Sequence, residues 1–298
     1  MTTDAAADID VQIEKKPFEA EVYDVMGGAA RWEIAVHDHG LVALVDVMPR
    51  MAPVGKTADF AIVQAARVSY GEGTKQVNED RGLIRYLARH RHTTPFEMVE
   101  FKFHHVMPIF VARQWIRHRT ANVNEYSARY SVVRDRFFKP TPQNVRRQSS
   151  SNRQGGEEPM DAATADDFLK YLDEVEKSYE RYEEFLEKGV AREIARIALP
   201  ASVYTEWYWK IDLHNLLHFL SLRMDPHAQQ EIRDYANAMF ELIRPIVPIA
   251  AEAFLDYNFG AIHLTRLEVE AIRTAQPIKT ENERESAEWE EKRKKLGL

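Results

Sequence analysis

Apolar positions recur at two periods along this chain, and each period marks a different kind of element. Val99, Phe101 and Phe103 alternate with Glu100, Lys102 and His104, and Val203, Thr205, Trp207 and Trp209 alternate in the same way. A period of two predicts strands with one face turned to a core. Residues 42–47 are a short apolar run that reads as a third strand. In residues 166–188, Leu169, Leu172, Val175, Tyr179, Tyr182 and Leu186 recur at helical spacing before Gly189, which predicts one long packing helix with a glycine stop. Capping residues and breakers predict shorter helices over residues 57–68 behind Thr57, from Asn78 or Asp80 to residue 91, over 191–199 ahead of Pro200, after Asp212, and over 226–245. Residues 1–30 lack sustained periodicity and are expected to be a loose extension, and polar residues 148–164 a mobile surface loop. After Thr280 the chain is charge-dense. The expected organisation is therefore a single domain over residues 31–275, between the extension at 1–30 and a charged tail at 276–298. Periodicity alone supports a mixed, helix-rich domain.

Composition narrows the class. With 298 residues, 45% hydrophobic and 29% charged, the chain can bury one large core. No window approaches eighteen uninterrupted apolar residues, and the acidic start MTTDAAADID has no apolar signal core, so a cytoplasmic protein is expected. The absence of cysteine excludes disulfides, thiolate metal sites and a cysteine nucleophile. Gly71-Glu72-Gly73 is the only G-x-G, and Gln76 stands where a dinucleotide fingerprint needs its third glycine. His214 and His218 have H-x-x-x-H spacing, but Asn215 replaces the glutamate of a zinc hydrolase and no acidic third ligand follows. No metal is expected, and His118, His214, His218 and His227 read as hydrogen-bonding residues.

Charge changes the picture most. The formal net charge is -7, yet Arg113, Arg117, Arg119, Arg129, Arg134 and Arg136 face only Glu125 and Asp135 in their stretch. A positive island in an acidic chain points to an anionic ligand. Pro108 is suited to open a helix over residues 109–119, which would set Arg113, Gln114 and Arg117 on one face. Asn122, Asn124 and Ser127 read as loop chemistry and residues 130–133 as a strand. Guanidinium forks beside a hydroxyl and free loop amides suit phosphate oxygens. The competing reading is a solvated basic helix end, but Val111, Trp115 and Ile116 give the helix a half-buried pattern, in which clustered arginines need partners. Ser127 has no His–acid pair arranged around it and reads as a ligand contact, not a nucleophile.

Arg117-His118-Arg119 followed seven residues later by Ser127 resembles the signature of the flavin-dependent thymidylate synthases, the ThyX family. The resemblance extends from about Leu41 to Tyr257 through AARVSY, HTTPFE, PIFVARQW, REIARIALP and LSLRMDPHAQ, in order. It implies reductive methylation of dUMP to dTMP, with methylenetetrahydrofolate as carbon donor and NADPH-reduced FAD as hydride source. A cysteine mechanism is impossible here. Carried over by position, it implies dUMP contacts from Gln114, Arg117, Glu125, Tyr126, Ser127, Ala128, Arg129, Arg196 and Arg223. Arg129 and Arg196 would take the phosphate, and Arg223 the uracil N3, as the catalytic residue. For FAD it implies Ser69, Thr94, Glu97, Arg117, His118, Arg119, Asp212, His214, His218 and His227, with His92 and Tyr130 where flavin, folate and nicotinamide stack. Asp212 and His218 stand where familiar members have Asn, and Ala128 where glycine is frequent. The implied fold is α/β (α+β), a twisted, largely antiparallel sheet flanked by helices. The implied assembly is a homotetramer with composite sites, in which Arg129 and Arg196 are expected to meet across subunits. Two alternatives explain less: a non-catalytic nucleotide- or nucleic-acid-binding protein accounts only for the island, and a scaffold only for the long helix and the tail.

Overall fold

The computed structural model describes residues 14–68, 80–150 and 155–298. Ser69 and the Gly71-Glu72-Gly73 turn lie outside the described residues. The strands are β1 (Val22–Asp24), β2 (Trp32–Val36), β3 (Gly40–Met48), β4 (Met51–Pro53), β5 (Glu100–Pro108), β6 (Asn122–Glu125), β7 (Arg146–Gln148), β8 (Gly156–Pro159) and β9 (Tyr204–Asp212). The helices are α1 (Asp59–Val68), α2 (Asp80–Arg89), α3 (Thr94–Glu97), α4 (Ile109–Trp115), α5 (Ala162–Glu176), α6 (Ser178–Glu187), α7 (Arg192–Ala195), α8 (Leu213–Arg223), α9 (Gln230–Ile243), α10 (Pro248–Phe254), α11 (Arg266–Thr274) and α12 (Glu283–Leu296).

The frame is a five-stranded sheet in the order β2-β3-β5-β9-β6, antiparallel at every pairing. Alternation in β5 and β9 turns Phe101, Phe103, Trp207, Trp209 and Ile211 into the core. The opposite face stays polar. There Lys102 lies 5.4 Å from the Tyr208 ring centroid and Lys210 bonds Glu100 at 2.8 Å, which offsets the direct Lys102–Lys210 cross-strand pairing. Helix α9 closes the core against β2 and β3. The Tyr235 hydroxyl donates to the Val106 carbonyl at 2.9 Å, directly over Gly40. A Cβ at Gly40 would lie 2.0 Å from that hydroxyl oxygen and 2.5 Å from the Val36 carbonyl, so only glycine admits this contact.

The structure departs from the periodicity at identifiable places. Val22–Asp24 pairs with β4 and Met26 is buried, although residues 1–30 carry no pattern. The helix predicted over 166–188 is two helices, α5 and α6, because the turn at Lys177 tightens and its N–H bonds the Glu174 carbonyl at 3.2 Å. In the segment expected to be a mobile loop, β8 pairs back onto β7 at its leading edge and α5 begins at Ala162; residues 151–154 lie outside the described ones. The charge-dense end folds as α12, capped by Asn282, with Trp289 buried. Among the described residues no helix is long and apolar enough to cross a membrane.

Candidate functional site

Helix α8 shows how a core-facing pattern aims a polar one. Asp212 caps it by accepting from the Asn215 N–H at 2.9 Å, and Leu213, Leu216, Phe219 and Leu220 are buried. His214 and His218, one turn apart, are thereby left on another face. Helix α2 ends in a left-handed residue, Arg91 with φ 56°, and the His92 N–H returns to the Leu87 carbonyl at 2.9 Å. Without glycine this conformation costs about 1 kcal/mol, and it turns the chain so that His92 and Thr93 face α8. Helix α10 is fixed by Asp59 of α1, whose buried carboxylate accepts from the Ile249 and Ala250 N–H groups at 2.8 and 3.1 Å. Burial pushes the Asp59 carboxyl up, against the pull of those two bonds. Between these elements lies a cavity of about 570 Å³ whose walls include His92, Thr93, His214, His218, Tyr257 and His263.

Beside the cavity, α4 anchors itself through Trp115, which is fully buried against Trp207, Trp209, Phe219 and Tyr235. The helix stops there, short of the expected residue 119, because the chain turns and the His118 N–H bonds the Trp115 carbonyl at 3.0 Å. Ile116 is not part of the buried stripe, Arg113, Arg117 and Arg119 are exposed, and Arg117 and Arg119 lie beyond the last residue of the helix. His118 instead turns inward, edge-on to Phe219 with centroids 4.9 Å apart and 6.3 Å from the His218 ring. Its Nε2 accepts from Arg223 Nε at 3.1 Å. Burial, then the Arg223 charge and His218, lower the His118 pKa to about 4, so the ring is neutral near pH 7 with its proton on Nδ1. Gln114 donates its side-chain amide to Gln229, which ties α4 to the segment just before α9.

A second group of residues forms at the other end of β6. This strand is polar and exposed throughout, and the expected loop at Asn122 and Asn124 is a strand because it completes the β9 ladder, Asn122 opposite Lys210 and Glu125 opposite Trp207. Glu125 accepts from the Thr205 hydroxyl at 2.7 Å, and the Ser127 carbonyl accepts from the Tyr130 and Ser131 N–H groups, both at 3.1 Å. Residues 130–133 form no strand. Tyr179 donates to the Val133 carbonyl at 2.6 Å and the Val133 N–H donates to Tyr182 at 3.2 Å, pinning this turn onto α6. Ala128 and Ala195 pack on the same small cluster, and Arg192 donates to the Tyr130 carbonyl at 3.1 Å. The segments carrying Arg129 and Arg196 are thus neighbours within one chain. Ala128 lacks a positive φ, so its N–H remains usable without glycine.

The structure therefore gathers His92, His214 and His218 at one cavity, with the Arg223–His118 pair beside it through the His118–His218 ring contact, while Gln114 is bonded to Gln229. Thr94 and Glu97 follow directly on α3. Asp212 spends its carboxylate on Asn215, and His227 is held in a turn by Asp225 at 2.8 Å. Arg119 lines a smaller hollow of about 210 Å³ with His118. Glu125, Tyr126, Ser127, Ala128, Arg129, Tyr130 and Arg196 do not line this cavity; Glu125 ends β6, a strand that rises about 10 Å at ~3.3 Å per residue, and residues 126–130 follow it. Tyr257, Asn258 and His263 also line the cavity, and no motif or spacing marks them in the sequence.

Comparison with known proteins follows this geometry. The family model described as thymidylate synthase complementing protein matches residues 47–249. A flavin-dependent thymidylate synthase of Dictyostelium discoideum is 68% identical over 297 residues, covering 99% of this chain and 98% of the relative. One from Wolbachia pipientis wMel is 53% identical over 84% of this chain and 85% of its own length. Among solved structures, the UMP/dUMP methylase PolB of Streptomyces cacaoi bound with 5-Br UMP superposes with a TM-score of 0.65 at 34% identity, covering 76% of this chain and 98% of that one.

Proposed function

The chain belongs to the flavin-dependent thymidylate synthases, and from that premise we propose how its residues divide the reaction. The reaction is the reductive methylation of dUMP to dTMP, with FAD as cofactor and methylenetetrahydrofolate and NADPH as co-substrates. When bound, FAD supplies the hydride. The cavity suits an aromatic, phosphate-bearing group: its volume is in the range of small-molecule sites, and imidazoles, a phenol and the Arg89 and Arg91 guanidinium groups line it. His92, His214 and His218 are the residues that would hold the cofactor there, with Ser69, Thr94, Glu97, Arg117, His118, Arg119, Asp212 and His227 around it.

Arg129 and Arg196 are the phosphate ligands of dUMP, exposed and free of ion pairs among the described residues. Ser127 and the Ala128 N–H add hydrogen bonds, and Glu125 and Tyr126 complete that side. Arg223, with Gln114 and Arg117, faces the pyrimidine. Because His118 is neutral, its Nε2 can accept from Arg223, which orients the guanidinium; burial lowers the Arg223 pKa from its usual high value, and the group stays charged near neutral pH. A fixed cation at the pyrimidine edge stabilises the charge that develops as C5 becomes nucleophilic. No enzyme adduct is needed: cysteine is absent, and Ser127 Oγ accepts from the Arg129 N–H at 3.4 Å instead of meeting a base. Tyr130 and His92 are the stacking residues for folate and nicotinamide.

The dUMP residues fall on two sides of β6, so a whole site forms when one copy's Arg223 side meets another copy's Arg129 side, within a homotetramer. The observation that carries this reading is the convergence of His92, His214 and His218 on one cavity beside the Arg223–His118 pair. Purified protein should show oxidised-flavin absorbance and form dTMP only with FAD, folate and NADPH present; dTMP formation by flavin-free protein would overturn it.

A further inference from the structure

The family match ends at residue 249, but the cavity wall does not. Tyr257, Asn258 and His263 lie beyond it and line the same space as His92, His214 and His218. The wall they form is braced. Arg85 bonds Asp256 and Glu252, both at 2.8 Å, and its guanidinium stands 4.7 Å from the Tyr257 ring centroid, with that of Arg89 at 5.7 Å. These cations fix the ring at the cavity edge.

His263 is held from farther away. Its carbonyl accepts from Lys292 Nζ of α12 at 3.0 Å, and the same ammonium bonds Glu268 at 2.9 Å. Glu268 is buried and closes a capping box with Thr265 at the start of α11, so the Lys292 contact is anchored on both sides. The charge of Lys295 on the same helix also acts at the turn that carries His227. Burial alone would raise the Asp225 carboxyl, but bonds from His227 and the charges of His227 and Lys295 hold it below its usual value. Helix α12, outside the family match, thus holds the segment that carries His263 at the cavity.

We propose that His263 is a further binding residue for the phosphate-bearing aromatic cofactor in this cavity, and that Lys292 is the positioning residue that presents it. The inference rests on the reading of the cavity as the FAD site. An imidazole here supplies a ring to stack and an N–H for an anionic oxygen, either a cofactor phosphate or a carboxylate of the folate tail, and the experiment separates the two. In the full-length protein, the dissociation constant for FAD would be measured by titrating stripped enzyme, together with KM for folate and NADPH and the melting temperature. His263→Ala is expected to weaken FAD about tenfold, the scale of one lost hydrogen bond to a charged group. His263→Gln, which keeps a donor, should recover part of the affinity. Lys292→Met should weaken FAD and, because it leaves buried Glu268 without its counter-charge, also lower the melting temperature; Lys292→Arg should restore both, and a melting-temperature loss without an affinity loss would make Lys292 merely structural and overturn its role. A rise in folate KM at unchanged FAD affinity would overturn the cofactor assignment of His263. His214→Ala distinguishes the two failures: if it loses FAD while His263→Ala does not, the inference falls and the cavity reading stands, and if neither moves FAD, both fall.

Discussion

The two groups of substrate residues differ in how complete they are within one chain. Around α4 and α8, side chains already have partners: Arg223 is half-buried and bonded to His118, Gln114 to Gln229, and a cavity opens beside them. Beyond β6, Arg129 and Arg196 are exposed and make no ion pair among the described residues, Arg129 lies 5.3 Å from the Tyr130 ring centroid, and Tyr130 is 73% exposed. Yet the backbone under that second group is firmly held by Tyr179, Tyr182 and Arg192. The contrast is between a preorganised pocket and a preorganised surface. A pocket can hold a ligand within one chain, whereas exposed cations outside an edge strand fit the proposal that a second copy completes the site.

The largest expected effect falls on the pocket side. Arg223→Ala removes a fixed charge from the developing anion and should lower dTMP turnover about 100- to 1000-fold. Flavin occupancy should fall far less, because His92, His214 and His218 remain. Turnover and flavin absorbance on one preparation check this; near-normal turnover would remove Arg223 from the chemistry. On the surface side a milder loss is expected. Ser127→Ala should raise KM for dUMP about five- to tenfold, the scale of one hydrogen bond, and leave FAD affinity unchanged. Mass spectrometry of quenched wild-type reactions should find no Ser127–nucleotide adduct, and a trapped adduct would make Ser127 a nucleophile after all.

The smallest effect is a pH dependence confined to the pocket. His118 has its pKa lowered to about 4, so between about 4 and 6.5 the unfolded chain binds a proton that the folded chain does not. Its contribution to stability is present above pH 6.5 and is lost as pH falls through that window. The Arg223–His118 bond should persist to about pH 4, and the His118 ring shifts followed by NMR should titrate there; titration near 6.5 would show an ordinary exposed imidazole.

Legibility in the sequence followed the same division. Strands β5 and β9 and the Asp212 cap announce themselves, because one face of each element meets the core and the alternation records it. Strand β6 does not, since Asn-Val-Asn-Glu buries nothing and exists only as the edge partner of β9. The reach of the helix after Pro108 was overestimated because Ile116 looks like core, while Trp115 alone fills the aromatic nest and the chain turns behind it. Arg129 and Arg196 are distant in sequence, and only the shared packing of Ala128 and Ala195 makes their segments neighbours. His263 carries no motif at all; its place depends on Lys292, a tertiary contact that no local pattern encodes.

The most direct measurement of the pocket-and-surface division is complementation between subunits. Arg223→Ala disables the pocket side and Arg129→Ala the surface side, so each variant alone should be nearly inactive. Co-expressed and randomly mixed, about a quarter of the sites would pair an intact pocket side with an intact surface side from another copy. Activity near that fraction of wild type, in mixed oligomers verified by mass, is the predicted result. Mixed oligomers as inactive as their parents would place both arginines of each site on a single chain and contradict the division.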